Sequence, residues 1–301
     1  MPAVTLRRSA LYVPGSNARA LAKAAGLGAD VLILDLEDAV APAAKAEARR
    51  QVAAYLATAA GRGGPELVVR INGLDGAFGA DDLAALAAAP PAAVLVPKVS
   101  SAGDIGRARQ ALAAAGLGER CRIWAMIETP RAVLDPLGIA MADGGPPPTA
   151  FVLGLNDLAR DTGTRQLPGR WPMLPWMMNA LAAARTAGLA ILDGVFTDLA
   201  DADGFSAECR QARDCGFDGK TIIHPSQIGP CNAAFSPTEA EIAAARRVVE
   251  AYGAAEAAGE GVAVVDGRMV EALHAELARR TLDLAAAIAA RPLAAAALTK
   301  A

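Results

Sequence analysis

Short runs of Val, Ile and Leu recur along the chain between alanine-rich stretches, at residues 10–13, 31–36, 67–71, 93–96, 123–127, 150–153, 190–192 and 221–223. They are continuously apolar rather than alternating, the pattern of parallel strands covered on both faces. Polar residues close them at Asp35, Arg70, Lys98, Glu128, Asp157, Asp193 and His224, spaced by roughly 30 residues, about one βα unit. Eight such units predict an α/β fold, a (β/α)8 TIM barrel.

The intervening stretches carry helix punctuation. Ser16 or Asn17 is placed to cap the first helix, Gly26 and Gly28 to close it, and Pro42 precedes a helix over 43–56. Thr129-Pro130 reads as an N-cap followed by proline at the first helical position. Residues 143–149, rich in Gly and Pro, form a rigid loop into the sixth strand. After the eighth unit, 225–237 is irregular, and two amphipathic helices follow near 238–258 and 270–290, joined by the glycine-rich 259–267. The predicted organisation is a barrel over 1–230 and a C-terminal helical extension over 231–301, a packing arm or a lid.

The 301 residues are 53% hydrophobic and 20% charged, enough apolar material to exclude a disordered chain. No span supplies the roughly 20 apolar residues of a membrane helix, since the best stretch, 83–97, is broken by Pro90-Pro91. A net charge of −3 without a basic run, and only 4% aromatics, give no footprint for nucleic acid. A small anionic substrate held by a few placed cations remains open. Four cysteines without CxxC spacing point to a reducing compartment, and the short apolar stretch before Pro14-Gly15 is no signal peptide, so the expectation is cytoplasmic. With only His224 and His274, multi-histidine zinc sites are excluded, and the chemistry rests on carboxylates, Arg and Lys.

Strand C-terminal ends converge on one mouth of such a barrel. Glu37, Asp38, Arg70, Lys98, Glu128, Asn156 and Asp157 then form a single constellation. Several carboxylates sharing a cavity repel one another unless a cation joins them, and a hard divalent ion, Mg²⁺, suits such oxygens. Glu128 is the sharper candidate, because Thr129 already serves as the cap; Asp157 or Asn156 equally suits a helix cap near Leu158. Arg70 needs an anion, either Glu37 or a substrate carboxylate. Lys98 either serves the site or snorkels to solvent.

The segments Arg8-Ser-Ala-Leu-Tyr-Val-Pro-Gly-Ser-Asn17, Leu32-Ile-Leu-Asp-Leu-Glu-Asp-Ala-Val40, Val69-Arg-Ile-Asn72, Met126-Ile-Glu-Thr-Pro130, Gly154-Leu-Asn-Asp157 and Gly219-Lys-Thr-Ile-Ile-His-Pro225 resemble, in order, the citrate lyase β-subunit-like proteins. These belong to the HpcH/HpaI aldolase, citrate lyase and malyl-CoA lyase superfamily. The resemblance implies a Mg²⁺-dependent TIM barrel with Glu128 and Asp157 as metal ligands and Arg70 as the substrate-binding, catalytic arginine. It implies retro-Claisen cleavage of a 3-hydroxyacyl-CoA thioester, of citramalyl, malyl or citryl type, to a 2-oxo acid and acetyl-CoA or a relative. Backbone N–H groups of Gly154, Leu155 and Asn156 would hold the carboxylate, and Tyr12, Arg19 and Lys23 the CoA moiety. Glu37 and Asp38 would orient Arg70 or serve as base. The alternatives are a β subunit of a multi-protein citrate lyase acting on a carrier-protein thioester, and a class II 2-oxo acid aldolase, which is disfavoured because no histidine precedes His224. The family forms homo-oligomers, trimers or hexamers, whose C-terminal arm brings an aspartate to a neighbouring subunit's mouth. Here the matching position is Glu271, one methylene longer, which puts that acid/base role in question.

Overall fold

The computed structural model describes residues 4–59, 61 and 63–291, so residues 1–3 of the predicted barrel and 292–301 of the predicted extension lie outside it. Eight parallel strands close into a barrel in sequence order: β1 (Ser9–Pro14), β2 (Val31–Asp35), β3 (Glu66–Arg70), β4 (Ala93–Val96), β5 (Arg122–Ile127), β6 (Ala150–Leu153), β7 (Ala190–Asp193) and β8 (Gly219–Ile222). β8 pairs back onto β1 through Ser9↔Lys220 and Leu11↔Ile222, so no strand edge is left open. All eight predicted runs are strands. The last lies two residues earlier at its start than the apolar pattern suggests, because Lys220 is a fully buried strand residue.

The interior is filled by side chains from β1 to β7, among them Ala10, Ile33, Val68, Leu95, Trp124, Met126 and Val152. At the end opposite the mouth, the Arg7 guanidinium lies 5.0 Å from the Trp124 ring centroid and pairs with Glu66 at 2.7 and 2.9 Å. Arg8 clasps Asp30 with two hydrogen bonds of 2.8 and 2.9 Å. Together these charges and Trp124 close the floor of the barrel, at the end that serves stability rather than chemistry.

Lys220 meets Asp193 at 2.7 Å and Glu208 at 3.0 Å, and Arg170 joins the same Asp193 at 2.8 and 2.7 Å. This quartet balances its own charge, which is what allows a lysine to be fully buried.

The described residues divide into two compact units, one spanning residues 7–232 and the other made of residues 4–6 together with 233–291. In the second, the helix Glu239–Ala257 is capped by a reciprocal Thr238–Glu241 box and packs on the helix Ala272–Ala290. The predicted glycine-rich joint is in fact a hairpin, β9 (Ala263–Val265) and β10 (Arg268–Val270). Asp266 and Gly267, at φ 50° and 76°, form its two-residue turn, the Asp-Gly signal of a tight hairpin. Val270, Tyr252 and Ala275 make a small core beneath it. Among the described residues no helix is long and apolar enough to cross a membrane.

Candidate active site

Parallel pairing puts Asp35 opposite Arg70 at the ends of β2 and β3. Arg70 donates from Nε to Asp35 Oδ1 at 2.7 Å and from Nη2 to Oδ2 at 2.6 Å, a bidentate pair. Asp35 also accepts the backbone N–H groups of Glu37 and Ala39, so one carboxylate both folds the turn after β2 and aims the guanidinium. The Tyr12 ring supports the guanidinium from one side, its centroid 4.9 Å from Cζ. Nη1 is left facing Glu37 Oε2 at 3.1 Å and Asp38 Oδ2 at 3.4 Å. Burial opposes the charge, yet the Asp35 hydrogen bonds and the charges of Tyr12, Asp35 and Glu37 hold the Arg70 pKa above its ordinary value.

The turn that carries Glu37 is itself anchored. Lys45 Nζ donates to the carbonyls of Leu36 and Glu37 at 2.7 and 2.6 Å, and Asn72 Nδ2 to that of Leu36 at 2.8 Å. Burial raises the Glu37 pKa; Arg70 opposes the rise and Asp38 adds to it. Across the mouth, Lys98 Nζ reaches Glu37 Oε1 at 3.1 Å.

Glu128 follows β5 and is 2% exposed. Its Oε1 accepts the backbone N–H of Lys98 at 2.7 Å. Burial pushes its pKa up to about 7; the Lys98 N–H works against this, and the charges of Glu37 and Asp157 add to it. Gly154 gives Glu128 its space, since a β-carbon there would overlap both Glu128 Cβ and Oε2. Gly154→Ala is therefore expected to displace the carboxylate and cut activity by about 10²-fold, with secondary structure intact by circular dichroism.

Gly154 is also the N-cap of the helix Leu155–Thr162, which starts earlier than the predicted start near Leu158. Asn156 and Asp157 accordingly lie inside the first turn and neither caps it. The Gly154 N–H donates to the Ile127 carbonyl at 3.1 Å, so of the three backbone groups predicted to hold a carboxylate, those of Leu155 and Asn156 remain at the helix start. Asp157 is half-buried and pairs with Arg160 at 2.8 Å; Asn156 Oδ1 accepts from Gln166 at 2.8 Å.

A cavity of about 330 Å³ opens here, lined by Tyr12, Asp38, Arg70, Glu128, Asp157 and the Gly154–Asn156 start, with Asp35 among them. Glu37 adjoins it through Arg70 and Lys98. Arg19 and Lys23 stand on the exposed face of the helix Ala18–Ala24 and do not line it. Glu271 belongs to the other unit, where it precedes the helix Ala272–Ala290 and its N–H donates to His274 Nδ1 at 3.0 Å. His224 caps the turn Pro225–Gln227, a structural role. A larger cavity of about 410 Å³ lies between Gln166–Met173 and the segment after β7. Its charged groups are paired or cap backbone N–H groups: Arg170 with Glu208, Asp198 on Ala200, Asp201 on Gly204.

Among the described residues no three His, Cys, Asp or Glu side chains gather as a metal cage. The candidate donors are instead two carboxylates, Glu128 and Asp157, which line one cavity, and the charge of Asp157 adds to the rise of the Glu128 pKa. Two hard oxygen donors with room for water and substrate oxygens fit Mg²⁺, which takes few protein ligands.

The family model for HpcH/HpaI aldolase/citrate lyase matches residues 8–225. The chain belongs to this family. Its members are aldolases and lyases built on a TIM barrel, and a further model, the carbon–carbon bond lyase of the TIM-barrel fold, matches 172–289. A (3S)-malyl-CoA thioesterase of Cereibacter sphaeroides is 48% identical over 94% of this chain and 96% of its own length. The citrate lyase β subunit of Leuconostoc mesenteroides is 37% identical over 93% of each chain. The Mycobacterium tuberculosis protein CitE, solved with magnesium, acetoacetate and coenzyme A, superposes with a TM-score of 0.75 at 32% identity, covering 92% of this chain and 97% of its own.

The sequence reading missed Asp35 as the residue that aims Arg70. The available signal was register: a buried aspartate two residues before Glu37, at the end of the strand beside β3, is the nearest anion to an arginine on that strand's end.

Proposed function

We propose that this enzyme is a Mg²⁺-dependent carbon–carbon lyase that cleaves a 3-hydroxyacyl-CoA thioester of the malyl type to a 2-oxo acid and acetyl-CoA or a related acyl-CoA. The observation that carries this reading is the placement of the Arg70 guanidinium over the same cavity as the Glu128–Asp157 pair. Glu128 and Asp157 would hold the cation, which supplies a Lewis acid for the oxygens of the nascent 2-oxo acid.

The chain's own residues do the rest. The C2–C3 bond breaks as the 3-hydroxyl loses its proton, and its electron pair passes to the thioester's α-carbon as an enolate, which takes up a proton to give the acyl-CoA. Glu37 and Asp38 flank Arg70 Nη1, which supports them as the carboxylates that accept the hydroxyl proton. Burial raises the Glu37 pKa, which makes its carboxylate a stronger base than an exposed glutamate. Arg70, fixed by Asp35, presents positive charge where negative charge develops.

Hydrolysis of the thioester is the second reading, favoured by the 48% identity to a malyl-CoA thioesterase. There the acyl–sulfur bond breaks, water supplies the hydroxyl, and the CoA thiol leaves with the proton. Malyl-CoA incubated with and without Mg²⁺ separates the two. Equal amounts of acetyl-CoA and 2-oxo acid support the lyase; free CoA and malate without 2-oxo acid support hydrolysis. Full turnover in EDTA overturns the metal role in both.

The second unit supports a homo-oligomer, a trimer or hexamer, in which it serves as a lid on a neighbouring subunit. On the hairpin, the paired Val264 and Met269 are 73% and 60% exposed, and Leu273 and Leu277 on the following helix are exposed as well. Four free thiols support a cytoplasmic location.

A further inference from the structure

Lys98 holds an unexpected backbone conformation. Its φ is 52°, and among the described residues only Arg170 and Asp266 are other non-glycine residues in the left-handed region. Asp266 sits in a hairpin turn and Arg170 in the buried quartet; Lys98 sits directly between the end of β4 and the mouth. An L-residue with a long side chain pays for that conformation, whereas glycine adopts it freely. Two contacts account for both features. The left-handed backbone turns the Lys98 N–H onto Glu128 Oε1 at 2.7 Å, and the side chain spans to Glu37 Oε1 at 3.1 Å. Glycine would supply the first contact and not the second; a residue that avoids positive φ would lose the first.

The geometry points to Lys98 as a positioning residue that ties the cation-binding carboxylate to the Arg70–Glu37 pair. Its main chain fixes one oxygen of Glu128, while the missing β-carbon of Gly154 accommodates the other. Its ammonium meets Oε1 of Glu37 while Arg70 meets Oε2, so that each oxygen of Glu37 faces a cation. The main chain of residue 98 thus governs divalent-cation affinity, and its side chain governs turnover. This inference rests on the cation site proposed above.

The test uses the full chain, Mn²⁺ binding by electron paramagnetic resonance or calorimetry, and malyl-CoA consumption. Lys98→Gly is expected to keep Mn²⁺ affinity within about threefold while kcat falls about tenfold or more, KM moving little. Lys98→Asn, which tolerates positive φ, is expected to behave as Lys98→Gly does. Lys98→Val, which resists it, is expected to weaken Mn²⁺ binding about tenfold or more. Lys98→Arg is expected to recover most of the turnover lost in Lys98→Gly. Equal Mn²⁺ affinity in folded Gly and Val variants overturns the main-chain half, and wild-type kcat in Lys98→Gly overturns the side-chain half. If Lys98→Val does not fold, Mn²⁺ binding in Lys98→Gly and Lys98→Asn decides the main-chain half: tenfold loss in either overturns it. Glu128→Gln separates the two levels. Undiminished Mn²⁺ binding in that variant refutes the cation site itself, whereas lost binding there with wild-type behaviour in every Lys98 variant refutes only the role of Lys98.

Discussion

Glu128→Gln should reduce turnover by about 10³-fold or more and, in the metal-free protein at pH 8, raise the melting temperature. The two effects share a cause. A carboxyl whose pKa stands at about 7 in the folded chain against 4.5 ordinarily is disfavoured as an anion by its surroundings, burial first, with Glu37 and Asp157 adding repulsion. Between those two values the native state binds more protons than the unfolded chain, so stability falls as pH rises through that window and the loss is complete above pH 7. Its size is about 3 kcal/mol at most. Glutamine fills the same volume and carries no charge, so the stabilisation should be present at pH 8 and absent at pH 4. Mg²⁺ should raise the melting temperature of the wild type, more at pH 8 than at pH 6, and leave the variant unmoved. Thermal melts at the three pH values, with and without Mg²⁺, check this; a variant less stable than wild type at pH 8 would contradict it.

Arg70→Lys should retain the fold and lose about 10²- to 10³-fold in kcat. An ammonium cannot make the two-pronged contact with Asp35 and simultaneously present a second nitrogen toward Glu37 and Asp38. Asp35→Asn should lose about 10²-fold through misdirection of the same guanidinium, although Asp35 itself needs no contact with substrate. Arg70→Ala belongs to a different class. It strands Asp35, which is 1% exposed, as an unpaired buried charge, at a cost of about 3–5 kcal/mol. Urea titration should separate it from the other two, and kcat within threefold of wild type for Arg70→Lys would remove Arg70 from the mechanism.

The barrel was legible because a parallel strand covered on both faces has to be apolar along its length, and the residue that ends the run has to be polar. Arg70 and Glu128 announced themselves in that way. The features that stayed hidden have side chains or backbones doing something the residue type does not advertise. Lys220, inside β8, reads as a polar residue ahead of the apolar run until Asp193 and Glu208 are seen to neutralise it. The contribution of the Lys98 N–H to Glu128 is a matter of backbone direction, invisible to residue type. The hairpin at Ala263–Val270 is hidden because its glycine content outweighs the Asp266-Gly267 turn signal and the apolar residues on either side of it. Residue spacing likewise put the helix after β6 too late, since glycine at the N-cap position offers no side-chain oxygen to mark the start.

The floor built from Trp124 and Arg7 makes the barrel a blind pocket. A cavity of about 330 Å³ is far too small for coenzyme A, so under the proposed function the bulky carrier would occupy the entrance and the acid fragment would sit behind it. In the proposed reaction the two products then depart in a fixed sequence, acyl-CoA first and 2-oxo acid second. Kinetically, the 2-oxo acid should compete with the thioester for the free enzyme, while acetyl-CoA should inhibit noncompetitively by recapturing the enzyme that still holds the acid.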